Sequence, residues 1–152
     1  MRSKIITKAT EIEEIFNKCQ VCYLSMVDSG NEPYVLALNY GYKDDCIWLH
    51  TAQTGRKMDI LRKNNKVCIA FSTDHELKFQ NQEVACSYAM KYRSIIVHGH
   101  VEFIEDDNQK KEALNIIMKH YTGREFTYNL PAVREVAVFK VIIEKMQARQ
   151  LG

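Results

Sequence analysis

Eight consecutive residues, His50-Thr51-Ala52-Gln53-Thr54-Gly55-Arg56-Lys57, hold an imidazole, two hydroxyls, a glycine and two adjacent cations. An apolar strand ends in His50-Thr51, a polar bend reaches Gly55, and Arg56-Lys57 open a helix. A helix start carries unpaired N–H groups and about half a positive charge, a field that favours anions over cations. Two cations there make sense if an anion sits between them. Gly55 would let the backbone approach it, Arg56 would offer a planar fork of donors and Lys57 a point charge. These are the parts of a phosphate cradle. On these residues alone the alternative stays open that Arg56 and Lys57 form a solvated face. The G-x-x-x-x-G-K-[ST] spacing of a nucleotide P-loop is missing.

His50 is the residue most suited to moving a proton or orienting a substrate beside that cradle. A second polar group lies on Tyr92–Ile104. There Ile95, Val97, Val101 and Phe103 alternate with Tyr92, Ser94, Ile96, His98, His100 and Glu102, so period two places the latter on one face. That face is either solvent surface or a ligand or subunit contact.

Other candidates carry less. Cys19-x-x-Cys22 sits where a helix ends, without the N-terminal field that activates a redox pair, and Cys46, Cys68 and Cys86 form no second pair for zinc. His98 and His100 share a strand face but lack a third ligand, so no metal is expected. A nucleophile elbow, G-x-S-x-G, is absent.

The elements that must position these residues follow from pattern. Ile12, Ile15, Phe16 and Cys19 fall at helical spacing, with Thr10 and Glu13 reading as a capping box. Val21–Val27 and Tyr34–Tyr42 read as a hairpin about Asp28-Ser29-Gly30-Asn31. Cys46–Thr51 is a strand, Gly55–Lys63 a helix and Lys66–Thr73 a strand. His75 to Lys91 is aperiodic, and Tyr92–Ile104 is a long strand. A helix follows, with Asp106, Asp107 or Asn108 as cap and Gly123 as stop. The last apolar strand runs within VREVAVFKVIIEKM. Six strands in meander order with peripheral helices predict a mostly β, antiparallel barrel, whose closure removes exposed edges.

The 152 residues fit one domain, 1–152, without repeat or linker. A net charge of +2 gives no nucleic-acid footprint, and no apolar run is long enough to cross a membrane. With no signal-peptide pattern and five cysteines, an odd number, a reducing cytoplasm is expected.

The stretch IWLHTAQTGRKMDILRKNNKVCIAF resembles the signature of the pyridoxamine 5′-phosphate oxidase-like, FMN-binding split barrels. With the ATEIEEIFNKC helix, CYLSMVDSGNEPYVLALNYGY and YRSIIVHGHVEFIED, the match is nearest to the nitroimidazole-resistance branch and spans nearly the whole chain. The resemblance implies a six-stranded split β-barrel that binds FMN, with FAD as the alternative. Arg56 and Lys57 would take the flavin phosphate beside Gly55. His50, Thr51 and Ala52 would line the ring edge, largely through backbone groups. Asn39 and Tyr40 would approach from the second strand, and Ser94 with Tyr92 from the long one. It further implies a homodimer with flavin at the subunit interface and a small-molecule, nitroaromatic substrate, with His50 as candidate catalytic residue. The counterparts in other classes are a flavin-binding electron carrier without a dedicated substrate and a haem-handling split barrel. The aromatic and arginine that place pyridoxal phosphate in true oxidases have no counterpart in KVIIEKMQARQLG, which argues against vitamin B6 chemistry.

Overall fold

A computed structural model describes residues 2–152. Its elements are β1 (Ser3–Ile6), α1 (Ala9–Lys18), β2 (Cys22–Val27), β3 (Pro33–Leu38), β4 (Gly41–Lys43), β5 (Cys46–Ala52), α2 (Arg56–Lys63), β6 (Lys66–Lys78), a 3-10 turn (Ala85–Ser87), β7 (Ala89–Ile104), α3 (Asp107–Thr122), α4 (Leu130–Glu135) and β8 (Val136–Leu151). The strands make one antiparallel sheet in the order β3-β2-β6-β7-β8-β5-β4, with β1 added on β8. The mostly β, split-barrel architecture with peripheral helices is as expected. The count is eight strands, not six, and the order is not a simple meander.

The difference arises at Asn39-Tyr40. The expected strand Tyr34–Tyr42 breaks there into β3 and β4, which lie at opposite edges of the sheet order. The sheet therefore curls until its two edges meet at that junction, without a closed ladder between them. Tyr40 causes the break. Its ring is fully buried, its hydroxyl donates to the carbonyls of Phe16 and Cys19, and its N–H donates to the Tyr121 hydroxyl at 3.1 Å. A buried phenol needs such partners, and reaching them pulls the backbone out of the ladder.

The core fills the inside of the curl. Alternation along β7 sends Ile95, Val97 and Val101 inward to meet Ile47 and Leu49 of β5, Phe71 of β6 and Phe139 of β8. α1 closes one end with Ile15 and Phe16, and the rings of Phe16 and Phe71 meet edge to face at 4.9 Å. A smaller cluster on the outer face seats α3, with Ala113 against Ile104 and Val138 and with Trp48 and Leu114 beside them. Gly99 sits at a register shift of β7, where a Cβ would come within 2.1 Å of the Ile142 carbonyl oxygen.

Helix ends depart from expectation in one case. α1 begins after Lys8 with no side-chain cap, so Thr10 does not form the capping box. α3 is capped by Asp106, which accepts from the Gln109 N–H, and stops at Gly123 with φ 74°. α4, unforeseen, starts at Asn129 with Pro131 in its first turn. No helix among the described residues is long and apolar enough to cross a membrane.

Candidate functional site

β5 alternates cleanly. Ile47, Leu49 and Thr51 face the core, while Trp48 and His50 face outward and are half-buried. Hydrogen-bond register places His50 beside Val138 of β8 and, through it, Ile104 of β7. Exposed Asn39 lies in the break between β3 and β4, two residues before Gly41, which pairs with Trp48. Burial alone lowers the His50 pKa, with no charged or hydrogen-bonding neighbour to oppose it. Burial thus favours the neutral imidazole, and its ring makes no side-chain hydrogen bond among the described residues.

The chain leaves β5 at exposed Ala52. Gln53 pins the turn by donating its side-chain amide to the carbonyls of Arg134 at 3.1 Å and Val136 at 2.8 Å. Gly55 then precedes α2 at φ 129°, a backbone state that L side chains rarely adopt. No atom lies within 4 Å of where a Cβ would stand, and no side chain caps the helix. The first intrahelical bond runs from the Asp59 N–H to the Gly55 carbonyl, which leaves the N–H groups of Arg56, Lys57 and Met58 without an intrahelical acceptor. Open space, free donors and two cations at one helix start suit a phosphate group. Arg56 is exposed, stacks over the Tyr34 ring with 4.4 Å to the centroid, and lies 3.7 Å from a Glu32 carboxylate oxygen. Tyr34, Glu32 and Gln53 were not legible as site residues, because each meets the cradle through a tertiary contact with no local motif.

The expected residues divide into four groups. His50, Ala52, Gly55, Arg56 and Lys57 follow one another from the end of β5 into α2, and exposed Asn39 lies between β3 and β4. Thr51 belongs to the same strand end, but its side chain is 8% exposed on the core face, which leaves its backbone as the available contact. Tyr40 keeps its side chain in the core, bonded to Phe16 and Cys19, where burial raises its pKa well above that of an ordinary phenol, so that side chain does not reach a surface ligand. Tyr92 and Ser94 are half-buried on β7, but Ser94 is ten residues from Ile104, whose row contains His50. At about 3.3 Å per residue that is roughly 30 Å of strand. One chain does not bring Tyr92 and Ser94 to His50.

Two grooves mark the surface. One of about 820 Å³ runs along α3 past Trp48, Glu102 and Lys140, and none of the expected site residues lines it. Another of about 310 Å³ includes Tyr92, with Lys91, Arg93 and the C-terminal Gln150–Gly152. The cysteines are free. Burial raises Cys19 and pushes Cys22 up to about 12, so neither is a thiolate at neutral pH. His100 bonds Glu144 at 2.6 Å, and among the described residues no group of three metal-ligating side chains converges.

Against known proteins, the profile of the pyridoxamine 5′-phosphate oxidase family matches residues 8–150. The chain belongs to that family. Among solved structures it is similar to a protein from Bacteroides thetaiotaomicron assigned only provisionally as a 5-nitroimidazole antibiotic resistance protein. That likeness has a TM-score of 0.88 and 40% identity, covering 98% of this chain and 87% of the other. An FAD-binding protein from Mesorhizobium loti shares the fold at TM-score 0.72 and 22% identity, over 100% of both chains. So does an FAD and heme binding protein from Mycobacterium smegmatis, at TM-score 0.83 and 14% identity, over 97% of this chain and 73% of that one. No curated protein matches the chain. The family match spans the helix, strand, cradle and long-strand segments whose resemblance the sequence carried.

Proposed function

We propose that the chain is a homodimeric, FMN-dependent reductase of nitroaromatic compounds, acting in the cytoplasm. The observation that carries this is the open helix start at Gly55–Lys57, continuous with the His50 strand end, within a chain 40% identical to the Bacteroides protein. Arg56, Lys57 and the first-turn N–H groups would hold the flavin phosphate. The backbone of His50, Thr51 and Ala52 would run along the ring edge, and Asn39 would stand beside it. Flavin supplies the electron chemistry; the chain binds, orients and excludes water. A nitro group that accepts electrons also needs protons, and His50 is the imidazole at this strand end. Tyr92 and Ser94 lie too far along β7 to reach the same flavin, which favours their supply by a second copy.

The cofactor released on denaturing the purified protein tests the first step. FMN is expected, and FAD would change only the part beyond the first phosphate. Light scattering should give about twice the 17.7 kDa chain mass. Anaerobic turnover of a nitroimidazole by the reduced protein separates a reductase from an electron carrier. A colourless protein that gains no colour with added flavin would refute the assignment.

A further inference from the structure

Lys110 is the one charged side chain among the described residues that is buried, at 5% exposed. It stands on α3 one turn before Ala113, which packs on Val138. Its ammonium donates to the Val136 carbonyl at 2.9 Å and to the Val133 carbonyl at 3.4 Å. No carboxylate answers it. Asp107, one turn earlier on α3, is held by Arg134 at 3.1 Å, and Lys110 is in no ion pair among the described residues.

A cation removed from water and left without an anion is costly. The carbonyls at the end of α4 do not demand one. The same Val136 carbonyl also accepts the neutral amide of Gln53 at 2.8 Å, and that amide serves the Arg134 carbonyl as well. A neutral donor thus suffices there, and the charge calls for an anion from outside the chain.

Register places that charge. Val136 is the partner of Ala52, as Val138 is of His50, and Ala52 and His50 share one face of β5. With paired strands about 4.8 Å apart, the ammonium stands within roughly 10 Å of the Ala52 backbone. It lies toward the Gln53 turn and away from the imidazole, whose pKa is set by burial alone.

We propose that Lys110 is the buried counter-charge of the reduced flavin. Uptake of two electrons and one proton leaves a flavin ring with one negative charge, and a nearby cation favours that state. This rests on the flavin reading, in which the backbone through Ala52 runs along the ring edge, and it assigns Lys110 the tuning of the reduction potential. Opposite charges about 10 Å apart, at an effective dielectric of about 20, shift an equilibrium roughly tenfold.

Lys110→Met removes the charge and keeps a side chain of similar size. Bound FMN is titrated anaerobically with dithionite beside a reference dye, and absorbance gives the oxidised and reduced fractions. At a fixed potential their ratio should rise roughly tenfold toward oxidised, about 30 mV for a two-electron couple. Lys119→Met, which removes an exposed cation from the same helix, should leave the ratio as in wild type. An unchanged ratio in Lys110→Met overturns the proposal. An equal loss of affinity for oxidised and reduced FMN does so too, because it assigns the cation to the phosphate. Urea unfolding of the flavin-free protein is the second readout. Lys110→Met should be no less stable there, since an apolar side chain replaces a buried charge that lacks an anion. A lower midpoint, or failure to fold, would make Lys110 a cap of α4 and overturn the proposal. Wild-type protein that takes up no FMN refutes the flavin reading and this proposal with it, whereas an unchanged ratio in protein that does take up FMN refutes this proposal alone.

Discussion

Arg56 lays its guanidinium over the ring of Tyr34, 4.4 Å from the centroid, with a Glu32 carboxylate oxygen 3.7 Å away. The ring positions the cation without consuming its donors, whereas the carboxylate competes for them. A phosphate at the α2 start must displace Glu32 or share Arg56 with it. Lys57, one residue on, has no such competitor among the described residues.

The first prediction follows. Loss of one charge-assisted contact costs about 1.5–3 kcal/mol, or roughly ten- to over a hundredfold in affinity. Arg56→Ala and Lys57→Ala should both purify folded but pale. Glu32→Gln should bind FMN a few-fold more tightly than wild type. Fluorescence quenching of FMN titrated with apo-protein measures all three. Unchanged affinity in both alanine variants would remove the phosphate from this helix.

Tyr40 separates fold from site. Tyr40→Phe removes the hydroxyl and with it the hydrogen bond to the Phe16 carbonyl, while the Cys19 carbonyl keeps its contact with His120 Nε2 at 2.8 Å. The expected loss is about 1–3 kcal/mol of stability, read as a lower urea midpoint, with FMN affinity unaltered. Asn39→Ala should do the reverse, since Asn39 is exposed between β3 and β4. A Tyr40→Phe protein of full stability and weakened flavin binding would return Tyr40 to the site.

These two neighbours show what was legible in the sequence. The cradle at Gly55–Lys57 was readable because its chemistry is local: one helix start, one glycine and two cations. The long strand was readable from alternation alone. The break at Asn39-Tyr40 was not, because apolar periodicity continues through it and only tertiary partners, at 16, 19 and 121 in the chain, pull Tyr40 inward. β1 is four residues with a mostly exposed pattern, too short to carry a signal before its pairing with β8 is known. The capping box failed for the opposite reason. Thr10 and Glu13 have the right spacing, but the chain already turns helical at Ala9.

Gly99 gives a sharper test of packing. A Cβ there would stand 2.1 Å from the Ile142 carbonyl oxygen and 2.9 Å from Val141 Cγ1. Backbone on a neighbouring strand cannot yield as a flexible side chain can. Gly99→Ala should therefore cost more than the roughly 1–3 kcal/mol of ordinary overpacking. Its urea midpoint, or failing soluble expression its yield, should fall below that of a Gly30→Ala control on the exposed β2–β3 turn.

Acid should release the outer part of the β6–β7 hairpin before it unfolds the barrel. A hydrogen bond from Arg93 holds the Glu14 carboxyl below its ordinary value. At Asp74 burial pushes upward, but hydrogen bonds from Arg93 and Lys18 prevail and hold it below as well. Groups depressed in the folded state contribute stability above their unfolded pKa, about 4, which is lost as pH falls through their folded values. Protection factors across Glu76–Lys91, which correct exchange for its intrinsic slowing in acid, should thus fall on acidification from pH 5 to pH 3, ahead of those of the core strands. Arg93→Met should show the lowered protection already at pH 7. Hairpin protection independent of both pH and Arg93 would show that the hairpin is held by something else.

His50 carries the last and most exposed prediction. Burial depresses its pKa below the ordinary value of about 6.5. The unfolded chain then takes up its proton first as pH falls below 6.5, so the folded state loses stability there. His50→Gln should lose less stability than wild type between pH 7 and pH 5. That result is expected of a merely buried imidazole too. A proton donor must in addition be protonated to act. The rate at which the reduced flavin passes electrons to a nitroimidazole should therefore rise as pH falls below 6.5 and decline as pH rises. His50→Gln should flatten that profile and slow the step by about 10²–10⁴, the usual worth of general acid help. Flavin affinity and dithionite reduction should stay as in wild type. Anaerobic stopped-flow reoxidation reads the rate directly. A variant as fast as wild type, with the same pH profile, would keep the reductase and leave His50 only a wall of the pocket. A wild-type protein whose reduced flavin never reoxidises with nitro compounds would leave an electron carrier instead.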